Sequence, residues 1–197
     1  IGLDGFIASS ERYKKKSEAE TICNGCSVAI VTKAECKEKS EKPPALYDLT
    51  SLQREANRVL GYTAQQTLDY TQNLYEKKLV TYPRTDARVL STAAAKEIYK
   101  NISGLRNYEH TAEIAQHIIE QGNYKNLAKT RYVNDKQITD HYAIVPTGQG
   151  LNALRSVSLT AQRVYETIVR RFVCIFYPPA VYQKISLCLL YTSPSPR

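Results

Sequence analysis

Apolar residues recur at helical spacing through the middle of the chain. Leu52, Ala56, Val59 and Leu60 fall on one face of a helix that Thr50 and Gln53 cap reciprocally and Gly61 stops. Thr63 and Gln66 repeat the capping pattern, and Ala64, Leu68, Thr71 and Tyr75 predict a second helix running to about Lys78. Two shorter helices are expected near Thr92–Asn101 and Ala112–Gln121, with Gly104 and Gly122 as breakers. The clearest stripe is Val164, Tyr165, Ile168, Val169, Phe172 and Phe176. It predicts a helix from Ala161 to about Phe176, capped by Thr160 and stopped by Pro178 and Pro179. Arg163, Arg170 and Arg171 lie outside that stripe and read as a solvated face. Elsewhere the period changes. Ser27–Thr32 reads as a short strand, Lys37–Pro44 as a charged linker, and after Tyr182 the pattern is lost, so Thr192–Arg197 is left unassigned. The pattern therefore predicts an α+β, mainly helical chain in three parts, at residues 1–46, 47–177 and 178–197.

Composition narrows the class. With 43% hydrophobic and 23% charged residues over 197 positions the chain can bury a core, and no apolar run approaches the ~18 residues of a membrane span. It has no signal-peptide pattern and no methionine, and it starts at Ile1, so an internal piece of a longer protein is expected. The net charge is +8, and residues 1–46 are nearly balanced, so most of the basic surplus lies beyond them. That fits a polyanionic partner such as nucleic acid, and fits ordinary solubility charge equally well. Five cysteines, an odd number, argue for a reducing compartment. Cys23 and Cys26 have the spacing of half a zinc site, but no second pair follows and Cys36 does not complete four ligands, so incidental cysteines near a turn are expected.

The residues best suited to chemistry lie in Leu79–Asp86. Pro83 fixes its own backbone and pushes Tyr82 toward an extended conformation, two residues from the planar, permanently charged guanidinium of Arg84. A phenol beside a phosphate-shaped cation is what attack on a phosphodiester requires. Of the three histidines, His110 and His117 read as surface residues. His141 opens the run His141–Thr147 after Asp140 and before a proline turn, where it can donate to a phosphate oxygen or handle a proton. The chain has no Asp-x-Asp-x-Glu cluster, no P-loop and no glycine-rich phosphate cradle, so no metal ligands are assigned in it.

Four ordered blocks carry a family resemblance. Leu46–Asn57, Leu79–Asp86, His141–Thr147 and Tyr165–Phe172 together resemble the type IA DNA topoisomerases, closest to their bacterial topoisomerase III branch, over roughly residues 43 to 182. The resemblance implies that Tyr82 attacks a DNA strand and holds its 5′ phosphate as an ester. It implies that Arg84 neutralises the scissile phosphate and that His141 contacts DNA near it. Thr81, Thr85, Asp86, Arg88, Gln53, Arg170 and Arg171 are implied as further DNA-binding residues. The implied fold is a helical domain bearing the tyrosine, flanked by partial segments of a β-rich arch.

The implied activity is strand cleavage, passage and religation without ATP. Mg2+ is implied in an acidic domain upstream of these blocks, with no site here. The implied partners are single-stranded or underwound DNA, with RNA as an alternative, and the missing parts of the same polypeptide, but no membrane. The implied location is the cytoplasm, at the nucleoid. Lacking the acidic domain, the chain alone is expected to be inactive. A competing reading is a non-catalytic single-stranded nucleic-acid-binding helical module in which Tyr82 only stacks on a base. A third is a zinc-binding regulatory segment built on Cys23 and Cys26.

Overall fold

The helical part begins where a side chain can satisfy the first free amides of a helix. In the computed structural model, which describes residues 12–25 and 28–192 and two strands before them, that residue is Asp48, not the predicted Thr50. The Asp48 carboxylate accepts from the Ser51 amide at 2.7 Å while the Ser51 hydroxyl accepts from the Asp48 amide at 3.2 Å. A carboxylate one turn before the apolar run outcompetes Thr50, which falls inside the helix. Cys26, Ser27 and residues 193–197 lie outside the described residues, and with them half of the zinc-site reading and most of the unassigned tail.

In chain order the elements are β1 (Gly2–Leu3), β2 (Phe6–Ile7), α1 (Lys16–Gly25), β3 (Val28–Glu41), α2 (Leu49–Leu60), α3 (Ala64–Glu76), α4 (Thr92–Leu105), α5 (Ala112–Gln121), α6 (Leu151–Leu154), α7 (Leu159–Cys174) and β4 (Ala180–Thr192). Short 3₁₀ turns fill residues 109–111, 123–129 and 135–137. The chain divides into two units, residues 41–180 and the residues on either side of them.

Outside residues 41–180, β1 and β2 pair antiparallel, with Gly2 opposite Ile7, and β3 pairs with β4. Both long strands exceed expectation. The stretch from Lys37, predicted as a linker, continues β3 to Glu41, and β4 runs on past Tyr182 to Thr192. The strand tolerates charge because residues two apart share a face. Lys33 and Lys37 both reach the Glu35 carboxylate, at 2.6 and 3.0 Å, and hold its pKa below the ordinary glutamate value. Helix α1, which starts at Lys16 and runs through Cys23, was not predicted.

Within residues 41–180, α7 packs on α3 and α2, α2 packs on α3, and α4 packs on α5. The predicted α7 stripe is buried throughout, from Val164 and Tyr165 to Phe172 and Phe176. Each large side chain so buried contributes about 1.5–3 kcal/mol of transfer free energy. Its cap is Ser158, two residues before the predicted Thr160, and it ends at Cys174.

Two helical faces differ from expectation. On α2, Val59 is exposed, leaving Leu52 and Ala56 buried. On α3 the buried residues are Thr67, Thr71 and Leu74, about one position around from the predicted Ala64–Tyr75 stripe. Threonine can face the core there because its hydroxyl bonds its own helix. Thr67 Oγ1 donates to the Thr63 carbonyl at 2.9 Å and Thr71 Oγ1 to the Thr67 carbonyl at 2.6 Å. The Thr63–Gln66 box forms, and Gly61 and Gly122 end α2 and α5 in left-handed conformation, as read from the sequence. Gly104 is no breaker. It lies inside α4, and a Cβ there would come within 2.0 Å of the Gly148 carbonyl oxygen, so its role is close packing on the 146–150 turn.

Candidate active site

Tyr82 stands on an extended segment whose burial alternates. Pro83, Thr85, Ala87 and Val89 are buried, while Arg84, Asp86 and Arg88 are exposed. That is the period of a strand, and it puts the positions of Tyr82, Arg84, Asp86 and Arg88 on one outward side. The segment leaves α3 through a tight turn. The Leu79 amide donates to the Leu74 carbonyl at 2.9 Å and the Lys78 amide to the Tyr75 carbonyl at 2.8 Å, with Lys78 at φ 61°. This closes the helix as a Schellman motif.

Beyond the turn the chain is fastened to residues 141–147. The Thr81 amide donates to the Val145 carbonyl and the Thr147 amide to the Leu79 carbonyl, both at 3.0 Å. The Thr81 hydroxyl donates to the Ala143 carbonyl and accepts from the Val145 amide, both at 2.9 Å. The Thr85 hydroxyl donates to the His141 carbonyl at 2.7 Å and accepts from the Ala87 amide at 3.1 Å. His141 is thereby held against Tyr82, with ring centroids 4.3 Å apart and the planes inclined at 41°. On the other side the Tyr75 ring meets Tyr82 edge-on at 5.4 Å. Together with Glu76, Lys78 and Gln149, these three rings line a depression of about 510 Å3.

The structure thus brings Tyr82 and His141 together and keeps Arg84 two residues along the same rigid segment. Arg84 is exposed, unpaired among the described residues, and outside the lining of the depression. The other site residues read from the sequence have these placements. Thr81 and Thr85 spend both hydroxyl functions on the backbone. Asp86 accepts from the Thr139 hydroxyl at 3.3 Å, and Arg88 donates to the Leu46 carbonyl at 3.2 Å. Gln53 donates to the Ala64 carbonyl at 3.0 Å, tying α2 to α3.

The neighbouring arginines of α7 diverge. Arg170 is exposed and pairs with Glu166 at 2.6 Å. Arg171, expected on a solvated face, turns inward. It donates to the Ala45 carbonyl at 3.2 Å and the Tyr47 hydroxyl at 2.9 Å, with its guanidinium 4.2 Å from the Tyr47 ring centroid. Burial pushes the Tyr47 hydroxyl up to about 12, against the opposing pull of Arg171. His110 and His117 are exposed, as expected.

Tyr75 and Lys78 were missed as site residues. Tyr75 was assigned to a helix face, yet at 38% exposure it faces the depression. Lys78 carried no pattern at all; its signal is the left-handed backbone. Among the described residues no group of three or more His, Cys, Asp or Glu is placed to hold a metal ion, and Glu76 is the single carboxylate in the lining. The residues present do not make a magnesium site.

Tyr82 thus packs between the rings of Tyr75 and His141, with the outward Arg84 two residues along the same segment of a helical scaffold. The sequence model of the DNA topoisomerase family matches residues 5–192, and the chain belongs to that family, in its type IA class. It is 39% identical over 155 residues to DNA topoisomerase 3 of Shouchella clausii and 37% identical over 157 residues to DNA topoisomerase 3 of Bacillus subtilis. These alignments cover 78% and 79% of this chain and 21% of each relative. DNA topoisomerase 3 of Bacillus anthracis is 35% identical over 183 residues, 90% of this chain and 24% of that protein. The chain thus spans a fifth to a quarter of the length of the curated relatives it matches. Full-length topoisomerase I from Thermotoga maritima superposes with a TM-score of 0.57 at 20% identity, over 93% of this chain and 29% of that one, and shares the fold.

Proposed function

We propose that this chain carries the tyrosine half of a site that cuts and rejoins one DNA strand. The observation that supports it most is the clamped Tyr82, held by six hydrogen bonds between residues 79–85 and 141–147 and flanked by His141 at 4.3 Å. Preorganisation of this kind lets binding energy be spent on the reaction geometry. The Tyr82 hydroxyl loses its proton as its oxygen bonds to phosphorus. The bond from phosphorus to the 3′ oxygen breaks, and that oxygen takes up a proton. The 5′ phosphate then remains on Tyr82. Attack by the 3′ hydroxyl reverses the step, so no nucleoside triphosphate is consumed.

In this reading Arg84 neutralises charge developing on the phosphate, and His141 donates to one of its oxygens. Arg88, Asp86 and Arg170 lie along the strand. Thr81, Thr85, Gln53 and Arg171 act as framework and not as DNA contacts. Strands β3 and β4 belong to an arch that completes the enzyme, and Mg2+ is held outside these residues. The substrate is single-stranded or underwound DNA, met at the nucleoid.

The test is a chimera in which residues 41–180 replace the matching segment of the Bacillus subtilis relative. With oligonucleotides labelled on either side of the break, detergent trapping should leave the 5′-phosphate side on the protein. Tyr82→Phe should abolish the adduct. An adduct that survives Tyr82→Phe refutes the assignment. The aromatic trio of Tyr75, Tyr82 and His141 also favours a second reading, a stacking platform for bases without cleavage. That reading is chosen if the folded chimera forms no adduct while oligonucleotide binding survives Tyr82→Phe.

A further inference from the structure

Lys78 is the one non-glycine residue with positive φ among the described residues, at φ 61°. It occupies the position after α3 that the Schellman motif ordinarily gives to glycine, because a Cβ there crowds the following carbonyl. The strained backbone is held from the other side. The Thr147 hydroxyl donates to the Lys78 carbonyl and the Thr147 amide donates to Leu79. Gly150 lies so near the Lys77 carbonyl oxygen that a Cβ would approach it to 2.6 Å. Two segments are thus locked around a residue that glycine would fit at lower cost. The lysine is exposed, lines the depression that holds Tyr82, His141 and Gln149, and has no partner among the described residues.

A non-glycine residue kept in the left-handed region is a pointer to a role for its side chain. We propose that Lys78 binds a backbone phosphate of a single-stranded nucleic acid lying in this depression, on the opposite side of Tyr82 in sequence from Arg84. Tyr82 is then bracketed by a cation on the turn before it and a cation on the segment after it, which fixes the register of the strand across the phenol. The proposal rests on the nucleic-acid reading of the site given above.

The experiment titrates a fluorescent single-stranded oligothymidylate with this chain over a tenfold range of salt, for the native sequence, Lys78→Gly and Lys78→Arg. Each phosphate contact adds about 0.7 to the salt slope on single strands, so Lys78→Gly should lose about fivefold less affinity than the native chain across that range. Lys78→Arg should keep the native slope. Because glycine relieves the left-handed backbone, Lys78→Gly should also raise the melting temperature, by about 2–4 °C. An unchanged slope for Lys78→Gly, in a chain that binds, overturns the Lys78 subsite and leaves the nucleic-acid reading standing. No binding by the folded native chain at the lowest salt overturns both.

Discussion

Arg171 and Arg170 are adjacent on α7, yet removal of the first should cost far more stability than removal of the second. Arg171 makes two hydrogen bonds, to Ala45 and Tyr47, and stacks over the Tyr47 ring at 4.2 Å. Hydrogen bonds to a charged donor contribute about 1.5–3 kcal/mol each where they are well buried, and a cation–π contact about 0.5–2. Arg171 is half-buried, so solvent screening lowers these values, and the three contacts share one side chain and do not add. Arg171→Ala should therefore cost about 2–3 kcal/mol, a fall in melting temperature of roughly 5–10 °C for a chain of this size. Arg170→Ala removes only an exposed pair one turn apart and should shift stability by less than about 0.5 kcal/mol.

The bracing matters to the site because Tyr47 accepts from the Ile144 amide at 2.8 Å, inside the stretch that carries His141 and receives Thr81. A double-mutant cycle of Arg171→Ala with Tyr47→Phe should give a coupling of about 0.5–1.5 kcal/mol, read from thermal or urea unfolding. The salt dependence of oligonucleotide binding should be unchanged in folded Arg171→Ala. If Arg171→Ala instead melts within about 1 °C of the native chain and loses salt dependence, Arg171 is a phosphate contact and the bracing account is wrong.

Glycine positions separate strain from collision. Gly61 has open space around its Cβ direction and φ 73°, so Gly61→Ala should cost only the left-handed penalty, about 1 kcal/mol. Gly148→Ala, at φ 72° and with a Cβ 2.4 Å from the Asn101 carbonyl oxygen, should cost about 2–4 kcal/mol by urea unfolding and should weaken oligonucleotide binding, since the turn that frames Tyr82 must move. Equal costs at the two sites would refute the packing argument. High pH gives a further check. Burial raises the hydroxyl pKa of Tyr47, to about 12, and also raises those of Tyr108, Tyr142 and Tyr165. The folded chain then binds more protons than the unfolded chain above about pH 10, so this part of the stability is fully present below pH 10 and is lost as pH rises toward 12. Tyrosinate absorbance should accordingly appear later in the folded chain than in urea; coincident titration curves would contradict the burial.

Local pattern carried much of this chain and failed where neighbours in space decide. The caps at Thr63 and Gly122 and the α7 stripe could be read because each depends on residues within one or two turns. The face of α3 was placed about one position off, with Thr71 on it as expected but Thr67 passed over, because hydropathy ranks threonine as polar, whereas both satisfy their hydroxyls on their own helix and enter the core. The length of β3 was hidden by its charges, which pair along one face of the strand and need no apolar face to do so.

The site shows the same division. The alternation from Pro83 to Val89 is written in the sequence, and it separates outward Arg84, Asp86 and Arg88 from inward Thr85 and Ala87. The use of Thr81 is not. Its hydroxyl is committed to Ala143 and Val145, more than sixty residues away, and Thr85 is committed to His141 over 56 residues. A polar residue beside a nucleophile reads as a contact to substrate when only the sequence is available. Here two of them act as the fasteners that bring His141 to Tyr82. The placement of His141 against Tyr82 therefore depends on side chains that spend their hydroxyls on the backbone, and Thr81→Ser should be tolerated where Thr81→Val is not, because only serine keeps both bonds.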